Sequence, residues 1–225
     1  MPTTTSSPGR VVLPGGPRAR VVARGRSDRP LVALTFDAGA DTGNTARILD
    51  VLAAERVAAT FGLTGRWVEA NPALARRIAA EGHQLVNHTD DHSSFTGVST
   101  HTGALSQARR SEEVARAEQA IQRVTGTGTA GWFRPPYGDR DAGVDADVGA
   151  AGYGVELMWS VDSLGWAGHS VDDIVNRVLA SAGPGMIALF HVGAASADAA
   201  ALPRVISGLR SRGFGFGTAA QVVAG

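Results

Sequence analysis

From Leu31 onward the chain alternates short apolar runs with amphipathic helical stretches, and several of the runs stop on a chemically capable polar residue. Leu31–Phe36 reads as a buried strand that stops at Asp37, and Ala58–Leu63 as a second. Gln84–Asn87 stops at His88, Gly131–Arg134 runs into a proline-rich loop, and Met186–Phe190 stops at His191. Gly154–Val161 and Phe214–Gly217 complete a set of about seven strands. Between them, residues 44–55 carry Ile48 and Leu52 on one helical face, and Asn71-Pro72 opens a helix as an N-cap followed by proline at the first helical position. Ser106–Val124 is the longest helix, its buried face marked by Val114, Ala117, Ile121 and Val124. Asp145–Ala151 forms a short helix. Ser170-Val171-Asp172-Asp173 is a capping box with Asp in place of Glu, Gly183-Pro184 closes the helix that follows it, and Leu202–Leu209 is the last helix. Repeated strand-helix order implies a parallel α/β sheet. Asp37, His88, Arg134, Asp162 and His191 all fall at or just after C-terminal strand ends. In a barrel those ends share one face, where barrel enzymes place their chemistry.

The chain has 225 residues, a length that suits one barrel-sized domain, and its 44% hydrophobic content is enough for a sizeable core. Residues 1–28, rich in Thr, Ser, Pro and Gly at the start, read as an N-terminal arm or linker, and 29–225 as one catalytic domain. Arg18, Arg20, Arg24 and Arg26 read as solvated residues of that arm. Formal net charge is zero, so no global basic field recruits nucleic acid or an anionic membrane. No run reaches the roughly 18 apolar residues of a membrane span. A basic segment followed by an apolar run is not visible at the start, so no signal peptide is read there. Cysteine is absent, which leaves His, Asp and Glu to hold any metal.

His88 and His92, four apart, can reach one divalent ion if a helical turn or tight loop separates them. Such an ion, with an open position, polarises a carbonyl and activates water. Asp90 and Asp91 between them are expected to face solvent, with support of the histidines as the alternative. Asp37 either forms a turn before Gly39 or serves as a base, and its place on the histidine face favours the base. His191 is either a satisfied core histidine or a general acid for a leaving amine or alcohol. Arg134 can hold a carboxylate, and a backbone N–H in the Pro135-Pro136-Tyr137-Gly138 turn can point at a developing oxyanion. Trp166 either walls a sugar or acyl pocket or fills the core. His83, His101 and His169 are read as structural or exposed.

These segments, in this order, resemble the polysaccharide deacetylases of carbohydrate esterase family 4, the NodB-homology domain, over about Leu31 to Val223. Thr35–Gly39 resembles the family's Thr-Phe-Asp-Asp-Gly motif except at Ala38, and His88 with His92 its His-x-x-x-His motif. Arg134–Tyr137 resembles its Arg-x-Pro-Tyr motif, Asp162–Trp166 part of Asp-x-x-Asp-Trp, and Leu189–His191 its Leu-x-His motif. The resemblance implies a distorted (β/α)7 barrel. It implies Asp37 as base, His191 as acid, Arg134 orienting Asp37, and the Tyr137 N–H at the oxyanion. His88 and His92 would hold zinc or another divalent metal such as Co²⁺. Ala38 stands where the family has a third metal ligand, which leaves that place to water, Asp37 or Asp41. Gly165 stands where the family has an Asp that tunes the acid histidine, so His191 finds another partner or works less well. The Thr-Phe-Asp-x-Gly form leans toward bacterial members that act on peptidoglycan.

The expected activity is metal-dependent removal of N-acetyl groups from amino sugars of a glycan such as peptidoglycan or a chitin-like polymer. Two rivals stand beside it: a hydrolase of small amides or O-acetyl esters, and a sugar-binding relative without catalysis. The expected location is extracellular or in the cell envelope. The Ser/Thr/Pro/Gly-rich start reads as the remainder of a segment leading from an export signal or anchor.

Overall fold

The computed structural model describes residues 18–39 and 41–224. The centre of the sheet is the strand Leu31–Ala38 (β2), preceded by a short strand Arg20–Val22 (β1). Helix Thr45–Glu55 (α1) leads to Thr60–Leu63 (β3), and helices Gly65–Ala70 (α2) and Pro72–Ala80 (α3) lead to Gln84–Asn87 (β4). Helix Gln107–Thr125 (α4) precedes Trp132–Phe133 (β5), and Ala142–Ala150 (α5) precedes Val155–Leu157 (β6) and Val161–Asp162 (β7). Helix Val171–Ala180 (α6), strand Ile187–His191 (β8), helix Asp198–Ser211 (α7), strand Gly215–Phe216 (β9) and helix Ala219–Ala224 (α8) complete the order.

All strand pairs are parallel, in the order β1-β6-β5-β4-β3-β2-β8-β7, with β9 against the start of β2. The curved sheet makes a distorted barrel, and two apolar layers follow from the period of two in each strand. Ala33, Val86, Trp132, Leu157 and Ile187 fill the interior, where Ala219 and Val222 of α8 also pack. Val32, Leu34, Phe36 and Ala38 face the helices. There the Phe36 ring stacks between Phe61 and Phe190 at 5.2 and 5.4 Å. Burying one such ring stabilises by roughly 1.5–3 kcal/mol.

Two departures from the sequence reading concern the barrel's seam. The stretch Gly154–Val161 is not one strand: β6 pairs with β5 and β1, whereas β7 pairs with β8. Residues Met158–Ser160 cross between these partners, with the Met158 N–H on Val22 O at 2.8 Å and the Ser160 N–H on Ile187 O at 2.9 Å. Part of the expected arm also belongs to the sheet, because Arg20–Val22 lies in register with Val155–Leu157. Residues 1–17 of that arm lie outside the described residues. Locally, α3 starts at Pro72 as expected, but Asn71 does not cap it; its amide donates to Trp67 O at 3.0 Å and closes α2 instead. The Ser170–Asp173 capping box forms as read.

Candidate active site

Strand register builds the site. Asp37 on β2 lies directly opposite His191 on β8, so both side chains leave the same face of the sheet. On the other side Asp37 pairs with Gly62 of β3. A Cβ on Gly62 would overlap Asp37 Oδ1 and approach its Cγ to 3.3 Å, so the missing side chain gives the carboxylate its room. Through that room Asp37 Oδ1 accepts from Arg134 Nη1 at 2.8 Å. Arg134 is only 1% exposed and otherwise donates to Leu157 O at 3.0 Å, Thr35 Oγ1 at 3.0 Å and Met158 O at 3.4 Å, with Trp159 under its guanidinium. Burial pushes the Asp37 carboxyl up, but Arg134, with help from His88 and His191, outweighs burial and holds it below the usual carboxylate range.

His88 follows β4 and is also almost wholly buried. Its Nδ1 lies 2.8 Å from Arg134 O. A carbonyl only accepts, so the proton is on Nδ1 and the Nε2 lone pair is free. That Nε2 lies 3.6 Å from Asp37 Oδ2. The His88 and His92 rings meet edge-on at 4.8 Å. The link between them is a tight loop rather than a helical turn, with Thr89 and His92 at φ of 68° and 66°. Left-handed backbone at non-glycine residues costs energy and persists where its surroundings enforce it. Thr89 Oγ1 accepts the His92 N–H at 3.1 Å. The fully buried Glu113 of α4 accepts the N–H groups of Asp90 and Asp91 at 3.0 and 2.9 Å. Burial lowers the pKa of both histidines, that of His92 to about 3, with the neighbouring His88 adding to its shift. Both are therefore neutral at pH 7.

Asp90 and Asp91 differ from the solvent-exposed expectation. Asp90 is buried against Gly65, where a Cβ would overlap its carboxylate, and half-buried Asp91 accepts from Ser93 and faces Arg109. His83 is buried and accepts the Ala59 N–H at 3.1 Å, a structural role, while His101 is exposed. Ala38 faces the apolar layer between sheet and helices and offers no ligand atom. Asp41 Oδ1 accepts the Ala194 N–H at 2.9 Å, tying the loop after β2 to the loop after β8.

The mouth of the site is a cleft of about 240 Å³ lined by Asp37, Gly39, His92, Trp166, His191 and Ser196, among others. Trp166 is 56% exposed, donates from Nε1 to Asp162 Oδ2 at 3.3 Å, and sets its ring 6.2 Å from that of His191. It is a wall of the cleft and not a core residue. Tyr137, 52% exposed, lays its ring edge-on against His92 at 4.7 Å. Its φ of 60° bends the Pro136–Gly138 turn around that contact. Every residue expected at the site is thus brought to one end of the barrel. Gly62, Glu113 and Asp198, whose carboxylate accepts the His191 N–H at 2.8 Å, complete it and were not read from the sequence.

A metal can be set against this donor set. Among the described residues no three His, Asp or Glu side chains form a ready-made cage. The two neutral imidazoles nevertheless have the chemistry of metal ligands, since the Nδ1–H of His88 is fixed on a carbonyl and its Nε2 lone pair is free. Asp37 Oδ2 lies close to that nitrogen, and Oδ1 is already held by Arg134. Two imidazoles, with Asp37 or water completing the set, fit a divalent ion.

The fold and the cluster at its mouth define a parallel barrel protein that gathers its polar chemistry at the strand C-termini. The polysaccharide deacetylase family matches residues 24–155, and the chain belongs to that family. It is 36% identical over 210 residues to a chitooligosaccharide deacetylase of Sinorhizobium fredii, covering 87% of this chain and 93% of the relative. The fold matches that of the Bc1960 peptidoglycan N-acetylglucosamine deacetylase with a TM-score of 0.83 at 31% identity, covering 91% of this chain and 92% of the other. It also matches BA3943, described as a carbohydrate esterase family 4 pseudoenzyme of Bacillus anthracis, with a TM-score of 0.80 at 26% identity, covering 90% of this chain and 68% of the other. The distorted (β/α)7 barrel is the fold shared with these relatives.

Proposed function

We propose that the protein hydrolyses N-acetyl groups from amino sugars of a glycan polymer, peptidoglycan or chitin-like, with the help of a divalent metal. The observation that carries this reading is the facing pair Asp37 and His191, at one register position on adjacent strands, beside two neutral imidazoles. An ionised carboxylate and a histidine on one face are what an acid–base hydrolysis needs and what sugar binding alone does not. The relatives named as chitooligosaccharide and peptidoglycan deacetylases support the substrate class.

Arg134 holds Asp37 Oδ1 and keeps the carboxylate ionised, leaving Oδ2 to take the proton of the attacking water. His88 and His92 would hold the ion, Zn²⁺ first and Co²⁺ as an alternative. When bound, it supplies Lewis acidity toward the acetyl carbonyl and acidifies water nearby. The Tyr137 backbone N–H stabilises the oxyanion. His191 buries Nδ1 and lines the cleft, from which its ring protonates the leaving amine as the C–N bond breaks. Acetate and the free amino sugar are the products. Trp166 walls the cleft for a sugar ring.

Ala38 and Gly165, with the fold shared with a pseudoenzyme, motivate a second reading: a sugar-binding protein without turnover. A hydrolase of small amides or O-acetyl esters is the third. Acetate release from chitin oligomers, peptidoglycan, acetylxylan and N-acetylglucosamine separates them. The proposed function expects release from the amino-sugar polymers. Release only from acetylxylan or from the monomer selects the third reading, and binding without release selects the second. Such polymers place the expected site of action outside the cytoplasm, which fractionation of the source cells tests.

A further inference from the structure

The carboxylate of Asp198, at the first turn of α7, is completely buried. One oxygen accepts the His191 backbone N–H at 2.8 Å. The other, Oδ1, has no hydrogen-bond partner, and neither does the buried Nδ1 of the His191 ring. Leaving a buried carboxylate oxygen unserved is costly, and such a group calls for an explanation. The two orphans are complementary, a nitrogen that can carry a proton and an oxygen that can only accept. They belong to residues already joined through the backbone.

The space for this carboxylate comes from Gly165. That glycine is absent from the residues with left-handed backbone, so conformation does not demand it there. Room does: a Cβ would overlap Asp198 Oδ1 and come within 2.7 Å of both its Cγ and Ser196 Oγ. The Asp198 N–H is bonded to that Ser196 hydroxyl at 3.2 Å, which fixes the start of α7 beneath His191. The strand end, the Gly165 turn and the helix start thus converge on one buried carboxylate.

We propose that Asp198 is a positioning residue for His191: it anchors the strand end through the backbone and serves as the buried counter-charge of the imidazole through Nδ1–H. Both unpartnered atoms belong to side chains whose residues are already joined by the 2.8 Å bond from the His191 N–H to the Asp198 carboxylate. With Nδ1 held, Nε2 is the nitrogen presented to the leaving group, and a positive ring is stabilised until it gives up its proton. This inference rests on the acid role proposed for His191.

The test uses two substrates. N-Acetylglucosamine oligomers need a proton on the leaving amine, whereas 4-nitrophenyl acetate has a leaving group that departs without one. Asp198→Asn keeps the shape and a backbone acceptor but removes the charge. Its kcat on the oligomer should fall roughly 10- to 100-fold, part of the roughly 10²- to 10⁴-fold that acid–base catalysis contributes. KM and the rate on the aryl ester should each change less than about threefold. Equal losses on both substrates, or none on the oligomer, overturn the proposal. His191→Ala is the companion: if it leaves oligomer turnover intact, the acid role itself is wrong. If it is slow while Asp198→Asn is not, only the Asp198 proposal fails. A swap adds an independent reading. Gly165→Asp alone should be impaired by overlap with Asp198, and Gly165→Asp combined with Asp198→Ala should recover oligomer turnover over either single variant. Should a variant not fold, the ¹⁵N shifts of His191 in the wild-type protein decide: a proton on Nδ1 is expected, and a bare Nδ1 in the neutral ring contradicts the proposal.

Discussion

Replacing Arg134 with methionine is the perturbation whose consequences the structure specifies most fully. The guanidinium is buried and donates to Asp37, Thr35 and the carbonyls of Leu157 and Met158. Methionine fills much of the same volume and donates nothing. Asp37 then stays 7% exposed without its cation. Removing one partner of a buried ion pair typically costs about 3–5 kcal/mol. The two carbonyls lose a donor as well, whereas the Thr35 hydroxyl retains its own bond to Ala188 O at 2.9 Å. A loss of about 3–5 kcal/mol is therefore expected in urea denaturation at pH 7, equivalent to a fall in Tm of very roughly 6–20 °C for a chain of this size. The sign with pH is also fixed. In the wild type Asp37 titrates below its unfolded value, so its stabilising contribution is full above that unfolded value and is lost as pH falls through the folded one. In Arg134→Met the balance tips to burial and the folded pKa rises, so the penalty eases as pH falls through it. The stability gap between the two proteins should narrow from pH 7 toward pH 4. Asp37→Asn combined with Arg134→Met should regain part of the loss. A cost below about 1 kcal/mol, or strict additivity in the double variant, would refute the coupling of Arg134 to a buried charge.

Gly62→Ala should displace the Asp37 carboxylate, costing about 1–3 kcal/mol of stability and at least tenfold in turnover. Gly103→Ala, where a Cβ meets nothing within 4 Å, is the control expected within about 0.5 kcal/mol, and equal effects at both positions would dismiss the room argument. The metal-free protein should lose stability as pH falls below about 6.5, because unfolded His92 binds a proton that the folded residue, with a pKa near about 3, refuses. At pH 5 this one group costs about 2 kcal/mol, and His92→Asn should flatten the slope between pH 7 and 5; an unchanged slope counts against it. Trp166→Ala should raise KM on oligomers while leaving the monomer unaffected, a split that steady-state kinetics on both substrates reads directly.

The strands were legible because most are buried on both faces and show as unbroken apolar runs. For the same reason the break at Met158–Ser160 was hidden: apolar character continues through it while the pairing partner changes. Arg20–Val22 is only three residues long, too short for a pattern to register. At the site, Asp37, His88, Arg134 and His191 stood out as polar residues at strand ends, a consequence of parallel topology. Gly62 did not, and Gly165 stood out only as a departure from a family motif, because the space each contributes depends on neighbours distant in sequence. Glu113 had a faint signal, four residues before the buried Ala117 on the same helical face. Asp198 had none, since an acid in the first turn of a helix is ordinary on an exposed surface. Asp90 misled because its burial comes from Gly65, just past the end of the neighbouring strand.

The central proposal, hydrolysis by Asp37 and His191 with a metal held at His88 and His92, is tested most directly by titrating Zn²⁺ into metal-stripped protein. Acetate release from a chitin oligomer and bound metal are followed in the same samples. The expected result is that activity is absent without metal and rises in proportion to bound ion. Asp37→Asn should bind the ion yet turn over roughly 10²- to 10⁴-fold more slowly, and His88→Ala with His92→Ala should lose both binding and activity. Full turnover in rigorously metal-free protein, or metal bound stoichiometrically to the double histidine variant, would contradict it.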